Sequence, residues 1–379
     1  MCIIKNVRKS LSEFDIFMFS SYDLYVSFFQ TKNNLGRLIK MNKKNAPKKE
    51  MPFVSRTMLR LAPLAGVKIF VEPKYGYVGQ IICPNGKIHY FRNTHFDLNP
   101  LGATEICKDK DYSSFFLKNL GYKTVEGRAF YSKEWCKMIG EELGIDQAYE
   151  YAKLIKFPVI VKPNSKSQGL GVYKATNKKE FYAAIRHVFK IDKIALVQRI
   201  AAGNDFRIVV LDGEVISAYQ RIPFCIIGDG TSTISELHQS KQAELEASER
   251  DTLLDVDEFR LNLTLKQNNL TPDHVLDKGK VLQLAPNANL CSGGTSIDFT
   301  DKISPEFSKL CIDITRDMGL RLCGVDLMIE GTVADRQADY LIVEVNSAPG
   351  LDNFAASGDE QAKIVDGLYL KLLKAIAKI

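Results

Sequence analysis

Apolar and polar residues alternate most cleanly in two stretches of this chain, Gly324–Glu330 and Tyr340–Asn346. In the second, Leu341, Val343 and Val345 fall on one face and Ile342, Glu344 and Asn346 on the other, the period of a strand. The polar run 331–339 between them reads as the loop of an antiparallel hairpin. The symmetric register pairs Gly324 with Asn346 and sets Asp326 opposite Glu344. Like charges so opposed, with Cβ atoms roughly 4.5 to 5.5 Å apart, destabilise a sheet unless something neutralises them. Asp, Glu and Asn are hard oxygen donors, so a divalent cation such as Mg²⁺ or Mn²⁺ would serve. The alternative is a solvated hairpin edge in another register.

The same reading places strands at Val67–Val71, Gln80–Cys83 and Ile88–Phe91, with an Asn85-Gly86 turn between the last two. Asn99–Gly102 reads as a turn, and a helix follows from about Asp109 to Leu120, stopped by Gly121. Lys110 lies in its first turn, where the helix dipole disfavours a cation, so the residue is expected to be kept for a ligand and not for the fold. Helices are predicted at Lys133–Leu143, Gln147–Ile155 and Lys178–Phe189. Pro158–Pro163 is a short buried strand ending in Lys162, and Val172–Ala175 resumes extended structure. Between them, Ser165, Lys166, Ser167, Gln168, Gly169, Leu170 and Gly171 form a small-residue loop set between two strands. Such a loop offers backbone N–H groups to an oligophosphate or makes an ordinary hairpin turn.

Ile194–Gln198 is a core strand, and 199–204 reads as a hinge. Asp205–Leu211 and Glu214–Arg221 flank the hairpin turn Asp212-Gly213. An ideal hairpin there pairs Arg207 with Ala218 and puts Arg221 on the opposite face, so the two arginines share one site only if a bulge or twist intervenes. Thr233 and Glu236 fit a capping box, 245–271 reads as mixed helix and loop, and 287–295 is a second loop of small polar residues. Phe307, Leu310, Cys311, Ile314 and Met318 make the core stripe of a helix started by Ser304-Pro305, and Ile364, Leu368, Leu372 and Ile376 mark the last helix.

A length of 379 residues suits two or three subdomains, and 45% hydrophobic with 25% charged residues is ordinary for a globular protein. The net charge of +6 gathers in Arg37, Lys40, Lys43, Lys44, Lys48 and Lys49, which without interleaved aromatics reads as a connector and not a nucleic-acid surface. The aromatic stretch Phe14–Phe29 is too short and too polar to span a membrane, and no signal-peptide cleavage site follows. Met41 and Met51 are candidate native starts. Eight cysteines without a Cys-x-x-Cys pair, and five histidines without zinc-ligand spacing, fit a reducing cytoplasm.

The order of Asp109-Lys110, Val161-Lys162-Pro163, Asp205-Phe206-Arg207, Arg221-Ile222-Pro223, Gly228-Asp229-Gly230, Asn287–Thr295, Gly324-Val325-Asp326 and Glu344–Gly350 resembles the ATP-grasp superfamily over roughly residues 105 to 352. The likeness is nearest to the ATP-grasp region of cyanophycin synthetases, with glutathione synthetases and D-alanine:D-alanine ligases more distant. Two departures stand out. Residues 167–171 lack the His and Arg usual in cyanophycin synthetases and look more like bifunctional glutathione synthetases, and the chain ends soon after Pro349-Gly350, without the Mur-ligase-like half.

The resemblance implies an α+β ATP-grasp fold, with two α+β subdomains clamping ATP behind a smaller N-terminal α/β domain. The expected division is 1–50 as a basic extension, 51–107 as the N-terminal domain, 108–198 as the central and lid subdomain, and 199–379 as the C-terminal subdomain. It implies a ligase that joins a small-molecule or peptide carboxylate to an amine through an acyl-phosphate, using ATP and two Mg²⁺ ions held by Asp326, Glu344 and Asn346. Lys110 and Lys162 would bind the α- and β-phosphates under the 165–171 loop. Backbone groups of Gln198, Arg199 and Ile200 would meet the adenine, and Asp205 the ribose. Arg207 and Arg221 would lie near the transferred phosphoryl, with Asn289, Ser292, Gly293, Gly294, Pro349 and Gly350 toward the substrate. A kinase of the same superfamily and a non-catalytic nucleotide-binding module are the rival readings. Homo-oligomerisation is left open, and no nucleic-acid or membrane partner is expected.

Overall fold

Antiparallel pairing dominates the structure, a computed structural model that describes residues 51–247 and 257–379. The aromatic stretch 14–29, the basic run 37–49 and part of the 245–271 segment lie outside the described residues. Helix α1 (Phe53–Ala65) leads into a sheet of β1 (Lys68–Val71), β2 (Val78–Ile82), β3 (Ile88–Arg92) and β4 (His95–Phe96), ordered as in the chain. Asn85-Gly86 makes the β2–β3 turn as predicted, with Gly86 at φ +84°.

Where a turn is predicted at Asn99–Gly102, a helix begins. Pro100 precedes α2 (Leu101–Lys108), which runs directly into α3 (Lys110–Asn119). Asn99 instead stitches strands together: its amide donates to the Leu322 and Ser347 carbonyls and its oxygen accepts from the backbone of Arg321 and Leu322.

A second sheet has the order β5 (Gly127–Tyr131), β8 (Ile194–Arg199), β6 (Val159–Pro163), β7 (Tyr173–Ala175). Helices α4 (Lys133–Ile139), α5 (Ile145–Leu154) and α6 (Lys178–Val188) accompany it, and α4 stops four residues before the predicted end because Gly140 turns left-handed at φ +73°. Its core gathers Phe130, Val159, Val161, Tyr173, Phe181, Ile185 and Val197.

The third sheet carries the chemistry. Its order is β13 (Thr295–Asp298), β10 (Glu214–Ile222), β9 (Asn204–Leu211), β14 (Leu322–Ile329), β15 (Tyr340–Asn346), backed by α9 (Pro305–Asp317). A small module of β11 (Cys225–Ile227), α7 (Ile234–Ala247), α8 (Glu258–Gln267) and β12 (Val281–Gln283) interrupts it, and the Thr233–Glu236 capping box opens α7 as expected. The short helix α10 (Asp352–Ala355) and α11 (Asp359–Ile376) close the chain. Helix α11 packs on α1, so the first sheet shares one core with the last helix through Met58, Leu61, Ile81, Phe91, Leu368, Tyr369 and Leu372.

Two bulges set the geometry of the third sheet. The β14–β15 register matches the prediction from Gly324↔Asn346 to Asp326↔Glu344, then slips, because Leu327 pairs with Ile342 and Val343 is extra. Strict alternation therefore fails: Ile342 is buried in the same core as Val345, and does not share the face of Glu344 and Asn346. In β10, Val215 pairs with Val210 but Ser217 with Val209, so Ile216 is the extra residue. Arg207 then faces Tyr219, and Arg221 faces Asp205.

Candidate active site

The Ile216 bulge answers the question left open for the two arginines. By shifting the pairing one residue it brings Arg207 and Arg221 to the same face, and both reach Asp326 on the neighbouring strand. Arg207 holds Asp326 bidentately, Nε to Oδ1 and Nη2 to Oδ2, both at 2.7 Å. Arg221 Nη2 lies 2.9 Å from Asp326 Oδ2 and 2.6 Å from Asp205 Oδ1. The Asp326 side chain is 4% exposed. Burial works against its charge, but Arg207 and Arg221 outweigh it and hold the carboxyl below the ordinary carboxylate range. Asp205 goes the other way: burial lifts its carboxyl, with the charge of Asp326 adding to the effect against the pull of Arg221. Asp205, expected at a ribose, here pairs with Arg221 and orients it.

Asp326 and Glu344 are directly opposed, as predicted, yet protein cations neutralise them. Lys110 Nζ lies 3.0 Å from Glu344 Oε1, with side-chain exposures of 9% and 22%. Lys110 also donates to the Lys166 carbonyl at 2.6 Å. The expectation that Lys110 contributes nothing to the fold is thereby corrected. It is a nearly buried ammonium with two partners, and the carboxylate across the site offsets its dipole conflict. Asn346 Nδ2 lies 3.4 Å from Asp326 Oδ2, so all three predicted metal donors converge. Among the described residues no three His, Cys, Asp or Glu side chains gather as a metal set, which leaves Asn346 as the third donor. The donor chemistry fits a hard divalent cation, and Arg207, Arg221 and Lys110 occupy the same oxygens in this state.

Lys162 differs from the other cations. It is 7% exposed and makes no ion pair among the described residues. Burial pushes its ammonium down to about 8; Lys110 adds to this, and Glu344, Asp326 and Asp205 only partly offset it. The cluster thus contains four cations, Lys110, Lys162, Arg207 and Arg221, against three carboxylates, Asp205, Asp326 and Glu344. Such an excess of buried positive charge, left partly unpaired, suits a polyanion.

Side-chain caps on backbone N–H groups, one local and one across the fold, assemble this cluster. Asp109 caps α3 through the Tyr112 N–H at 2.9 Å, while buried Asn164, just after β6, accepts from the Asp111 N–H at 3.0 Å. Asn164 so ties the Lys110 helix to the Lys162 strand, a role that spacing alone does not reveal. Ser165 donates twice to Asp192 Oδ2, at 2.9 and 2.7 Å, fixing the start of the loop. Gln168, Gly169 and Gly171 all have positive φ, and Leu170 donates to the Ser167 carbonyl.

At the predicted adenine hinge, Gln198 pairs on both sides within its sheet and the Arg199 N–H is taken by the Glu126 carbonyl at 2.9 Å. Ile200 is therefore the first backbone position past the strand, and the N–H groups before it belong to the sheet. A narrow cavity of about 10 Å³, roughly the room of one water, joins Lys110, Gln198 and Glu344. The larger cavity, about 510 Å³, lies on the first sheet against Phe70, Tyr90 and Arg92.

The second small-residue loop is braced from within and touches Asn353, whose Nδ2 donates to Cys291 Sγ at 3.3 Å. Asn289 Oδ1 accepts from the Cys291 N–H, and the Ser292 hydroxyl donates to the Asn289 carbonyl, so both side chains brace the loop. Gly293 and Gly294 are required by packing, because a Cβ would meet Phe224 at 2.5 Å and the Ile222 carbonyl at 2.6 Å. Pro349 is buried against Gly324, and Gly350 is exposed.

Residues 116–229 match the family described as D-ala D-ala ligase C-terminus, and residues 286–368 match the RimK-like ATP-grasp domain. With the two antiparallel sheets and the converging charged cluster, these matches make the chain similar to ATP-grasp proteins over residues 116–229 and 286–368. Among particular relatives, the glutathione biosynthesis bifunctional protein GshAB of Mannheimia succiniciproducens is 34% identical over 186 residues, 45% of this chain and 24% of that protein. Cyanophycin synthetase of Trichormus variabilis is 31% identical over 235 residues, 60% of this chain and 26% of that protein. The chain therefore spans about a quarter of the length of these relatives. A bifunctional glutathione synthetase from Pasteurella multocida is 23% identical with a TM-score of 0.49, covering 85% of this chain and 44% of that one. Among the described residues no helix is long and apolar enough to cross a membrane.

Proposed function

We propose that this chain is an ATP-dependent carboxylate-amine ligase that forms an amide bond through an acyl-phosphate, releasing ADP and phosphate. The observation that carries the reading is Lys162, a buried ammonium that makes no ion pair among the described residues and lies beside the Lys110–Glu344 pair. Lys162 and Lys110 bind the α- and β-phosphates. With Lys110 paired to phosphate in place of Glu344, Asp326, Glu344 and Asn346 would hold two Mg²⁺ ions, with Mn²⁺ as a substitute. The metal, when bound, neutralises charge on the transferred phosphoryl.

Arg207 and Arg221, held on one face by Asp326 and Asp205, orient that phosphoryl and stabilise the charge it carries. Residues 165–171 cover the β,γ end and exclude water from the acyl-phosphate. Ile200 offers backbone contact to the adenine. Gly293, Gly294, Pro349 and Gly350 form the substrate wall, and an amino acid or short peptide is the substrate class. We assign 108–198 and 199–379 as the two clamping subdomains, with 51–107 before them. The seven cysteines among the described residues are free thiols, which supports a cytoplasmic setting.

A screen of amino acids and dipeptides for amine-dependent phosphate release tests the proposal, with Glu344→Gln as control. Phosphate appearing only with carboxylate, amine and ATP together is expected. A stable phosphorylated product points to the kinase reading, and absence of turnover across the screen to the non-catalytic module.

A further inference from the structure

Helix α8 comes from the small module in the second half of the chain, yet it lies along the glycine loop and β7 of the first half. Phe259 and Leu263 pack into the core of the second sheet, with the Phe259 ring stacked on His187 at 4.2 Å and edge-on to Tyr173 at 5.0 Å. Gln267 donates to the Lys174 carbonyl at 2.9 Å and to Glu180 at 2.8 Å. Asp257, the N-cap of α8, accepts from the Tyr173 hydroxyl at 3.5 Å and lies 3.3 Å from Arg260 Nη2.

Arg260 is the inward member of this contact. It is 4% exposed, and its Nη2 donates to the Gly169 carbonyl at 2.7 Å, at the tip of the loop. On the other side of Gly169 sits Asn287, so close that a Cβ added to the glycine would meet its Nδ2 at 2.2 Å. Arg260 Nε and both amide atoms of Asn287 are buried without hydrogen-bond partners among the described residues, so unsatisfied polar atoms gather around this one glycine. A cation, an amide and a positive-φ glycine meeting at a loop tip make a grip that no local sequence contact supplies.

We propose that Arg260 is a positioning residue for the nucleotide loop: from α8 it holds the Gly169 carbonyl, and so sets residues 165–171 over the nucleotide phosphates. This rests on the ligase reading for the identity of the ligand, though the grip itself concerns only the loop. Arg260 acts through Gly169 and is not placed among the reacting groups. Asp257 fixes its guanidinium, and the partnerless Nε and Asn287 amide are available to a phosphate oxygen that enters beside the loop.

The test uses the full chain and its Arg260→Met, Arg260→Lys and Asp257→Asn variants, with trypsin cleavage after the exposed Lys166 reporting loop position. The nucleotide probe is Mg²⁺ with a non-hydrolysable ATP analogue. Arg260→Met is expected to speed Lys166 cleavage about tenfold in nucleotide-free protein, the scale of one charge-assisted hydrogen bond, and to weaken analogue binding about tenfold. Arg260→Lys should recover most of both, and Asp257→Asn should show a smaller effect of the same sign. A purely structural role would lower the melting temperature without selective exposure of Lys166 and without rescue by lysine. Unchanged Lys166 cleavage in Arg260→Met and Asp257→Asn overturns the proposal, and Asp257→Asn with Arg260→Lys decides it if the methionine variant does not fold. A wild-type chain that fails to bind the analogue refutes the nucleotide reading, and the nucleotide-free cleavage rates then decide the grip alone.

Discussion

Replacing Lys162 by Met removes a charge that the fold pays to bury. The ammonium is pushed from 10.5 down to about 8, chiefly by burial. At about 1.4 kcal/mol per pH unit, the shift corresponds to about 3 kcal/mol of destabilisation whenever the lysine is charged in both states. Below pH 8 both states hold the proton and the whole penalty is present. Between about 8 and 10.5 the unfolded chain keeps the proton that the folded chain has lost, so wild-type stability rises with pH across that window. Lys162→Met, similar in length and apolar, is therefore expected to melt about 5 °C higher than wild type at about pH 7, with the gap closing toward pH 10. Mg-ATP should close most of that gap. A polyanion beside Lys162 raises its pKa again, and nucleotide at one hundred times its Kd stabilises the wild type by about 2.7 kcal/mol, most of which the variant forfeits. Melting curves at about pH 7 and about pH 9.5, with and without Mg-ATP, decide the matter. A variant that melts below wild type at pH 7 without nucleotide would refute the claim that Lys162 is an unpaired buried charge.

Asp326→Asn should cost about 3 kcal/mol in urea unfolding, because the neutral amide leaves Arg207 and Arg221 buried without their counter-charge; a loss under about 1 kcal/mol counts against the ion-pair network. Lys110→Ala should lower stability by about 1 to 2 kcal/mol through loss of the Glu344 pair and the Lys166 carbonyl bond, and should also weaken ATP binding, both readable from nucleotide titrations of the melting temperature. Glu344→Gln is expected to stay folded by circular dichroism and to lose turnover, since a neutral amide cannot balance the cations beside a triphosphate; wild-type rates with Mg²⁺ would sink the metal assignment.

The metal hairpin was legible because its alternation, polar loop and opposed acids all point to one register, and that register holds as far as Asp326↔Glu344. The bulges were not. Ile216 and Val343 are ordinary apolar residues in runs of apolar residues, and only the three-dimensional pairing shows which of them is surplus. The arginine question was therefore posed by the sequence and settled by the fold. The two acids were expected to need a metal because sequence spacing does not show cations arriving from β9, β10 and α3. The role of Arg260 and the contacts made by Asn164 and Asn287 were not legible for the same reason, their partners being distant in the chain. Helix α1 left no clear trace either, since Pro63 interrupts its pattern.

The pairing of α1 with α11 bears on how the chain is born. Arg60 and Asp366, joined by two hydrogen bonds, lie 306 residues apart. Sheet β1–β4 thus emerges from the ribosome long before the helix that completes its core, and at about 5 to 20 residues per second its apolar face waits about 15 to 60 s for a partner. During that wait Met58, Leu61, Ile81 and Phe91 are a client surface for chaperones. Stalled or truncated products that stop short of Asp359 retain every predicted phosphate-binding residue and still lack the lid of their first core. For such fragments solubility, and not catalysis, is the property that fails first, and supplying residues 359–376 as a separate peptide is the direct way to restore it.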